Sequence, residues 1–128
     1  MPAGGTKMIC VDDDQQILDN YREIFEDLGY DVKTGQNGFD LGCMISEEMP
    51  DVMIVDLSMP GLNGLTALKR LSLKNKHLLA RTIVVSGIID TAVAAELKAL
   101  RVRSFRKPVD YSELIVAVKD LVSQARSA

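Results

Sequence analysis

The chain has 128 residues, of which 47% are hydrophobic and 26% charged, with a formal net charge of −3. That length suits one domain with its own core, and the balance is that of a globular chain rather than a disordered one. The slight acidity argues against a nucleic-acid face, and no run approaches the ~20 apolar residues of a membrane helix.

Residues 1–6 lack the apolar core of a secretory signal and read as a flexible lead, followed by an ordered domain over 7–123 and a tail over 124–128. Lys7–Val11 (KMICV) is an unbroken apolar run ending in three acids, the pattern of a strand buried on both faces. Ile17, Leu18, Tyr21, Ile24, Phe25 and Leu28 then fall on one face of a helix, with Asp14 to cap its start and Gly29 to close its end. Tyr30–Thr34 alternates like a strand near the sheet edge, and Gly38–Glu47 predicts a helix weakened by Gly38 and Gly42. Val52–Val55 (VMIV) is the most hydrophobic strand and ends at Asp56. After a loop containing Pro60 and Gly61, Leu65, Leu68 and Leu71 mark a third helix. Thr82–Val85 predicts a strand ending at Ser86, Ala92–Leu100 a helix, Val102–Phe105 a short strand, and Asp110–Val122 a last helix.

The pattern is strand then helix, five times over. It predicts a single-domain α/β fold of (βα)5 type, a doubly wound parallel sheet built with right-handed crossovers. Cys10 and Cys43 lie in apolar patterns outside any metal-ligand spacing, which predicts free buried thiols in a reducing cytoplasm. His77 lies in a polar stretch and reads as a surface residue.

In a doubly wound sheet the ligand site lies beyond the carboxyl ends of the strands. Those ends carry Asp12 and Asp13, Asp56, Ser86 and Lys107, whereas the second strand ends at Thr34 and Gly35 without an ionisable group. Carboxylates brought close together raise one another's pKa unless a cation compensates them. Oxygen ligands without His or Cys favour a hard ion, and Mg²⁺ takes one or two carboxylates while keeping waters. Asp56, beside a divalent ion and the Lys107 ammonium, is placed to attack a phosphoryl group, with Lys107 and the Ser86 hydroxyl stabilising the phosphoryl oxygens.

Five landmarks stand in order: Val11–Asp13, Asp51–Asp56, Met59–Gly61 with Asn63–Gly64, Ser86–Gly87 and Lys107–Pro108. With them the chain, from about Lys7 to Val122, resembles the CheY-like receiver domain of two-component response regulators. The resemblance implies a flavodoxin-like sheet of order 2-1-3-4-5 and a cytoplasmic phosphorelay role. Asp56 would be the phosphoacceptor, charged from a sensor histidine kinase or a histidine phosphotransfer protein. Asp13 would be a direct Mg²⁺ ligand, Asp12 one acting through water, and the Ser58 backbone carbonyl a further ligand beside Asp56. Ser86 would be the switch hydroxyl with Gly87 beside it, Lys107 the family's lysine, and Pro108 the proline preceded by a cis bond.

Two positions depart from the family pattern. Ser104 stands where the switch aromatic is usual, with Phe105 one residue later and on the other face of a strand. Ile88 replaces an acid or amide two residues beyond Ser86, which together with Ser58 predicts slow autodephosphorylation. The resemblance also implies an output face on helix four, strand five and helix five, drawing on Thr91, Ala95, Lys98, Arg103, Tyr111 and Ser112. It would serve a target protein, an output domain or a phosphorylation-dependent homodimer, with neither nucleic acid nor membrane bound by this domain and no turnover of other substrates.

Three rival readings remain. A degenerate receiver used as a plain binding module would lack an intact site. A haloacid-dehalogenase-like phosphatase wants Asp-x-Asp after its first strand and room for a cap. A flavodoxin-type nucleotide binder wants a Gly- and hydroxyl-rich loop there, where three acids would instead repel phosphate.

Overall fold

The computed structural model of the chain describes residues 5–59, 62–75, 77–87 and 89–127. Strand β1 (Lys7–Val11) is buried from Met8 onward, as its continuous apolar run requires. Helix α1 (Gln15–Asp27) starts where the Asp14 carboxylate accepts the Gln16 N–H at 2.9 Å. It closes at Gly29, whose φ of 92° no side chain would favour. Strand β2 (Asp31–Gly35) and helix α2 (Gly38–Glu47) follow, the helix capped by Asn37. A Cβ at Gly35 would lie 2.7 Å from the Asp40 Cβ, so glycine is what lets α2 begin so close to the end of β2.

Strand β3 (Val52–Val55) is wholly buried, then α3 (Gly64–Lys74) and β4 (Thr82–Ser86), also wholly buried. Helix α4 (Thr91–Ala99), β5 (Arg103–Arg106) and α5 (Tyr111–Ser127) complete the chain. All five strands pair in parallel in the order β2-β1-β3-β4-β5, the doubly wound, flavodoxin-like arrangement expected.

Alternation along the strands divides the core between two faces. Met8, Cys10, Ile54, Ile83 and Val85 pack with Leu18, Tyr21 and Phe25 of α1 and Leu114, Val118 and Val122 of α5. Ile9, Val11, Met53 and Val55 meet Leu41 of α2, while Val84 meets Leu68 of α3 and Leu97 of α4.

Several boundaries differ from the sequence reading. β2 and β5 each lie one residue later than their spacing predicted, because Tyr30 stacks on Phe25 and Val102 is buried under α4. Helix α5 runs to Ser127 rather than Val122, for Gln124–Ala125–Arg126 contains good helix formers and no stop residue. A two-residue antiparallel ladder pairs Ser58–Met59 with Leu62–Asn63, while Pro60 and Gly61, expected in a loop, lie outside the described residues. A short helical turn, His77–Ala80, buries Leu78 and leaves His77 exposed.

The cysteines separate where the sequence predicted two buried thiols. Cys10 is buried in β1 but Cys43 is exposed, because Cys43 falls on the outer side of α2. Burial pushes the Cys10 thiol far above its ordinary pKa. The native protein is therefore expected to take up one iodoacetamide, at Cys43, and a second only after unfolding. Two rapid native additions, read by intact mass, would refute this.

Candidate functional site

Parallel pairing brings the ends of β1, β3, β4 and β5 to one edge of the sheet. The Asp12 N–H donates to the Gly35 carbonyl at 3.2 Å and the Asp56 N–H to the Val11 carbonyl at 3.0 Å, which fixes both backbones just beyond their strands. The Lys107 N–H donates to the Ser86 carbonyl at 3.1 Å, tying β5 to β4 at the same edge. The Lys107–Pro108 peptide bond is cis, as the resemblance implied.

Carboxylate oxygens of Asp12, Asp13 and Asp56 all lie within 4.8 Å of one another, with Asp12 and Asp56 buried and Asp13 exposed. The Lys107 ammonium reaches between the buried pair, 2.8 Å from Asp12 Oδ2 and 3.0 Å from Asp56 Oδ2. The other carboxylate oxygens are held by the backbone. Asp12 Oδ1 accepts the Asp14 N–H at 2.9 Å, and Asp56 Oδ1 accepts the Ser58 N–H at 3.0 Å.

Burial raises the Asp12 pKa above its ordinary value; Lys107 and the Asp14 N–H oppose that, and the Asp56 charge adds to it. Burial would lower the Lys107 pKa, but its hydrogen bonds to Asp12 and Asp56 outweigh this and raise it. Formally, three carboxylates and one ammonium leave two negative charges in a largely buried cluster. A hard divalent cation fits that remainder in charge and in donor type, since every side-chain donor is a carboxylate oxygen.

Each side chain expected at the strand ends is thus brought to one edge, Ser86 included, which is fully buried. Ser58 enters through its N–H to Asp56. Ile88, on which the expectation of slow autodephosphorylation partly rested, lies outside the described residues. Phe105 packs on the α1/α5 side, and Ser104, paired with Val84, stands exposed on the opposite face, as alternation predicted.

Two contacts were not foreseen. Arg106 donates to the Ile89 carbonyl at 2.6 Å, bracing the loop after Ser86 from β5. Nothing in the spacing marks this, although an Arg directly before the Lys107 position is a visible charge. Tyr111, assigned to the output face, instead packs edge-on against Tyr21 and accepts from Asn20 of α1 at 3.2 Å. Thr91, Ala95, Lys98, Arg103 and Ser112 are exposed, with Arg103 paired to Asp120 at 3.4 Å.

A family model described as the response regulator receiver domain matches residues 8–119. Sporulation initiation phosphotransferase F of Bacillus subtilis (strain 168) is 30% identical over 114 residues, covering 88% of this chain and 90% of that protein. A CheY-like response regulator receiver domain protein from Methanospirillum hungatei JF-1 matches with a TM-score of 0.87 at 21% identity, over 95% of this chain and 97% of that one. The response regulator TrrA of Thermotoga maritima, solved in complex with Mg²⁺-BeF, matches with a TM-score of 0.77 at 24% identity, over 91% and 98% of the two chains. At those identities the two solved structures speak for the fold alone.

Proposed function

Because the chain belongs to the response regulator receiver domain family of two-component signal transduction, we propose that Asp56 is its phosphoacceptor. The donor would be a phosphohistidine on a sensor histidine kinase or a histidine phosphotransfer protein, met in the cytoplasm. The observation that carries this reading is the Lys107 ammonium, held 3.0 Å from Asp56 beside two further carboxylates.

An Asp56 oxygen forms the new bond to phosphorus while the bond from phosphorus to the imidazole nitrogen breaks and the imidazole leaves. Lys107 supplies a positive charge beside the reacting carboxylate, and the Ser86 hydroxyl would bind a phosphoryl oxygen once transfer is complete. Asp12, Asp13, Asp56 and the Ser58 backbone carbonyl would hold Mg²⁺. The bound ion supplies charge neutralisation to carboxylate and phosphoryl oxygens. With Ser104 in β5, the signal would pass from Ser86 through the loop that Arg106 braces to the face made by α4, β5 and α5. There a target protein, an output domain or a second copy would be engaged.

Acetyl phosphate with Mg²⁺ is expected to add one phosphoryl mass to the intact protein, releasing acetate, and chelation with EDTA is expected to prevent the gain. No gain under either condition would favour a phosphorylation-independent binding module instead. Size-exclusion chromatography of the same samples reads whether the modification drives pairing.

A further inference from the structure

On the side of the sheet away from α1 and α5, helix α2 and the end of α3 border an open groove of about 710 Å³. Phe39, Gly42, Cys43 and Glu47 of α2 line it, with Met49 beyond the helix and Lys74 from α3. Phe39 is 79% exposed, and Phe39, Gly42, Cys43 and Ser46 all face outward at the three- and four-residue spacing of one helix face. A large aromatic ring left in water beside a groove marks an interaction surface.

Gly42 is a second, independent sign. A Cβ at Gly35 would collide with Asp40, so that glycine serves the chain's own fold, whereas a Cβ at Gly42 would meet nothing within 4 Å among the described residues. Glycine inside a helix is destabilising relative to alanine, and the packing around Gly42 gives no reason for it. What Gly42 does create is an outward notch, one helical turn from the Phe39 ring.

A knob and a notch on the same face suit a self-complementary contact, because about a two-fold axis residue i meets j while j meets i. Two α2 helices crossing antiparallel on such an axis bring each Phe39 over the Gly42 of the other copy. Charge points to the same occupant. The groove carries Glu47 from α2 and Lys74 from α3, so a two-fold can set each glutamate against the lysine of the second copy. The contact of Glu47 with Lys33, at 3.9 Å and exposed, is loose enough to leave that carboxylate available. A foreign partner would have to supply the ring and both charges, all of which a second copy already carries.

We propose that the outer face of α2 is a self-association surface, on which a second copy of this chain docks with Phe39 seated beside Gly42. This surface is separate from the face made by α4, β5 and α5, and pairing through it does not depend on phosphorylation of Asp56. One helix face is small, so the association is weak and reversible, with less than the ~1,200 Å² that stable interfaces bury.

The test is sedimentation velocity of the full chain from ~10 μM to ~1 mM with no phosphoryl donor present. A reversible monomer–dimer shift is expected, and iodoacetamide should alkylate Cys43 more slowly at the upper concentration. Phe39→Ser should weaken pairing at least about tenfold, since each dimer loses two buried rings, and leave the exposed position's contribution to folding unchanged. Gly42→Ala should raise the Tm of the monomer while weakening pairing, a split that a merely structural glycine would not give. Lys74→Glu and Glu47→Lys should each weaken pairing, and the double exchange should restore it. Asp56→Asn should pair as the native chain does, which separates this outcome from the phosphoacceptor reading. A single monomeric species throughout would overturn the proposal, and is the result expected if a foreign protein is the true occupant. Pairing only after acetyl phosphate treatment, pairing that survives Phe39→Ser, or a double exchange that restores nothing would overturn it equally.

Discussion

Asp56→Asn is expected to abolish the phosphoryl gain from acetyl phosphate while leaving the domain folded. An amide nitrogen is not a competent nucleophile here, whereas the Asn oxygen can still accept the Ser58 N–H that Asp56 accepts at 3.0 Å. Lys107 keeps its second partner, Asp12, at 2.8 Å, so the ammonium is not stranded. The formal charge of the cluster falls from two negative to one, so Mg²⁺ affinity should fall as well. Removing the Asp56 charge also lifts one of the influences that raise the Asp12 pKa. Intact mass after acetyl phosphate treatment, with a parallel Mg²⁺ titration by thermal shift, reads both effects. Full labelling of the variant would mean that the acceptor lies elsewhere.

Lys107→Met should be the most damaging single change to the site, in stability as well as chemistry. Methionine keeps most of the stem volume but withdraws the cation from Asp12 and Asp56, which are 1% and 2% exposed. Removing one partner of a fully buried ion pair costs about 3–5 kcal/mol. Because the Lys107 side chain is itself 23% exposed and reached by water, we expect about 2–3 kcal/mol at neutral pH.

The pH dependence follows in sign. Asp12 has a folded pKa above its ordinary 3.8, so native stability declines as pH rises from there through the raised value. Without Lys107 that decline steepens, so the deficit of the variant should shrink toward pH 4 as the carboxylates take up protons. Lys107 has a folded pKa above 10.5, so its contribution is complete below 10.5 and is lost as pH rises through the raised value. The two proteins should therefore converge again in strong alkali. Excess Mg²⁺ should narrow the gap at neutral pH, since a bound cation stabilises whichever fold holds it. Phosphorylation by acetyl phosphate should slow about a hundredfold, the usual cost of losing one charge-stabilising group. Denaturant unfolding at pH 4 and 7 checks the first part, and equal stability at pH 7 would count against the role given to the ammonium.

The site was legible mainly because its residues stand at strand ends. Asp12–Asp13, Asp56 and Ser86 each follow an apolar run, Lys107 follows the short strand Arg103–Arg106, and parallel pairing obliges such ends to share an edge. The helix caps at Asp14 and Gly29 were legible for a local reason, since a cap depends on residues within one turn. Less was visible where the outcome depended on which way a helix turns. Cys43 looked buried because its neighbours are apolar, yet Gly38–Glu47 exposes that side. Tyr111 was assigned to the output face from its position in the chain, and the crossing of α1 and α5 carried it to Tyr21 instead.

From the order of its residues alone, this chain determined five alternating strand–helix units and the acidic and basic groups at their ends. Burial on a strand or helix repeats with a short period, so its record is written along the chain. Tertiary structure alone decided that Lys107 bridges Asp12 and Asp56, that Arg106 reaches the Ile89 carbonyl, and that Tyr21 is buried with no partner for its hydroxyl among the described residues. Those outcomes depend on distances and angles between elements far apart in the chain, which no spacing of residues along it encodes.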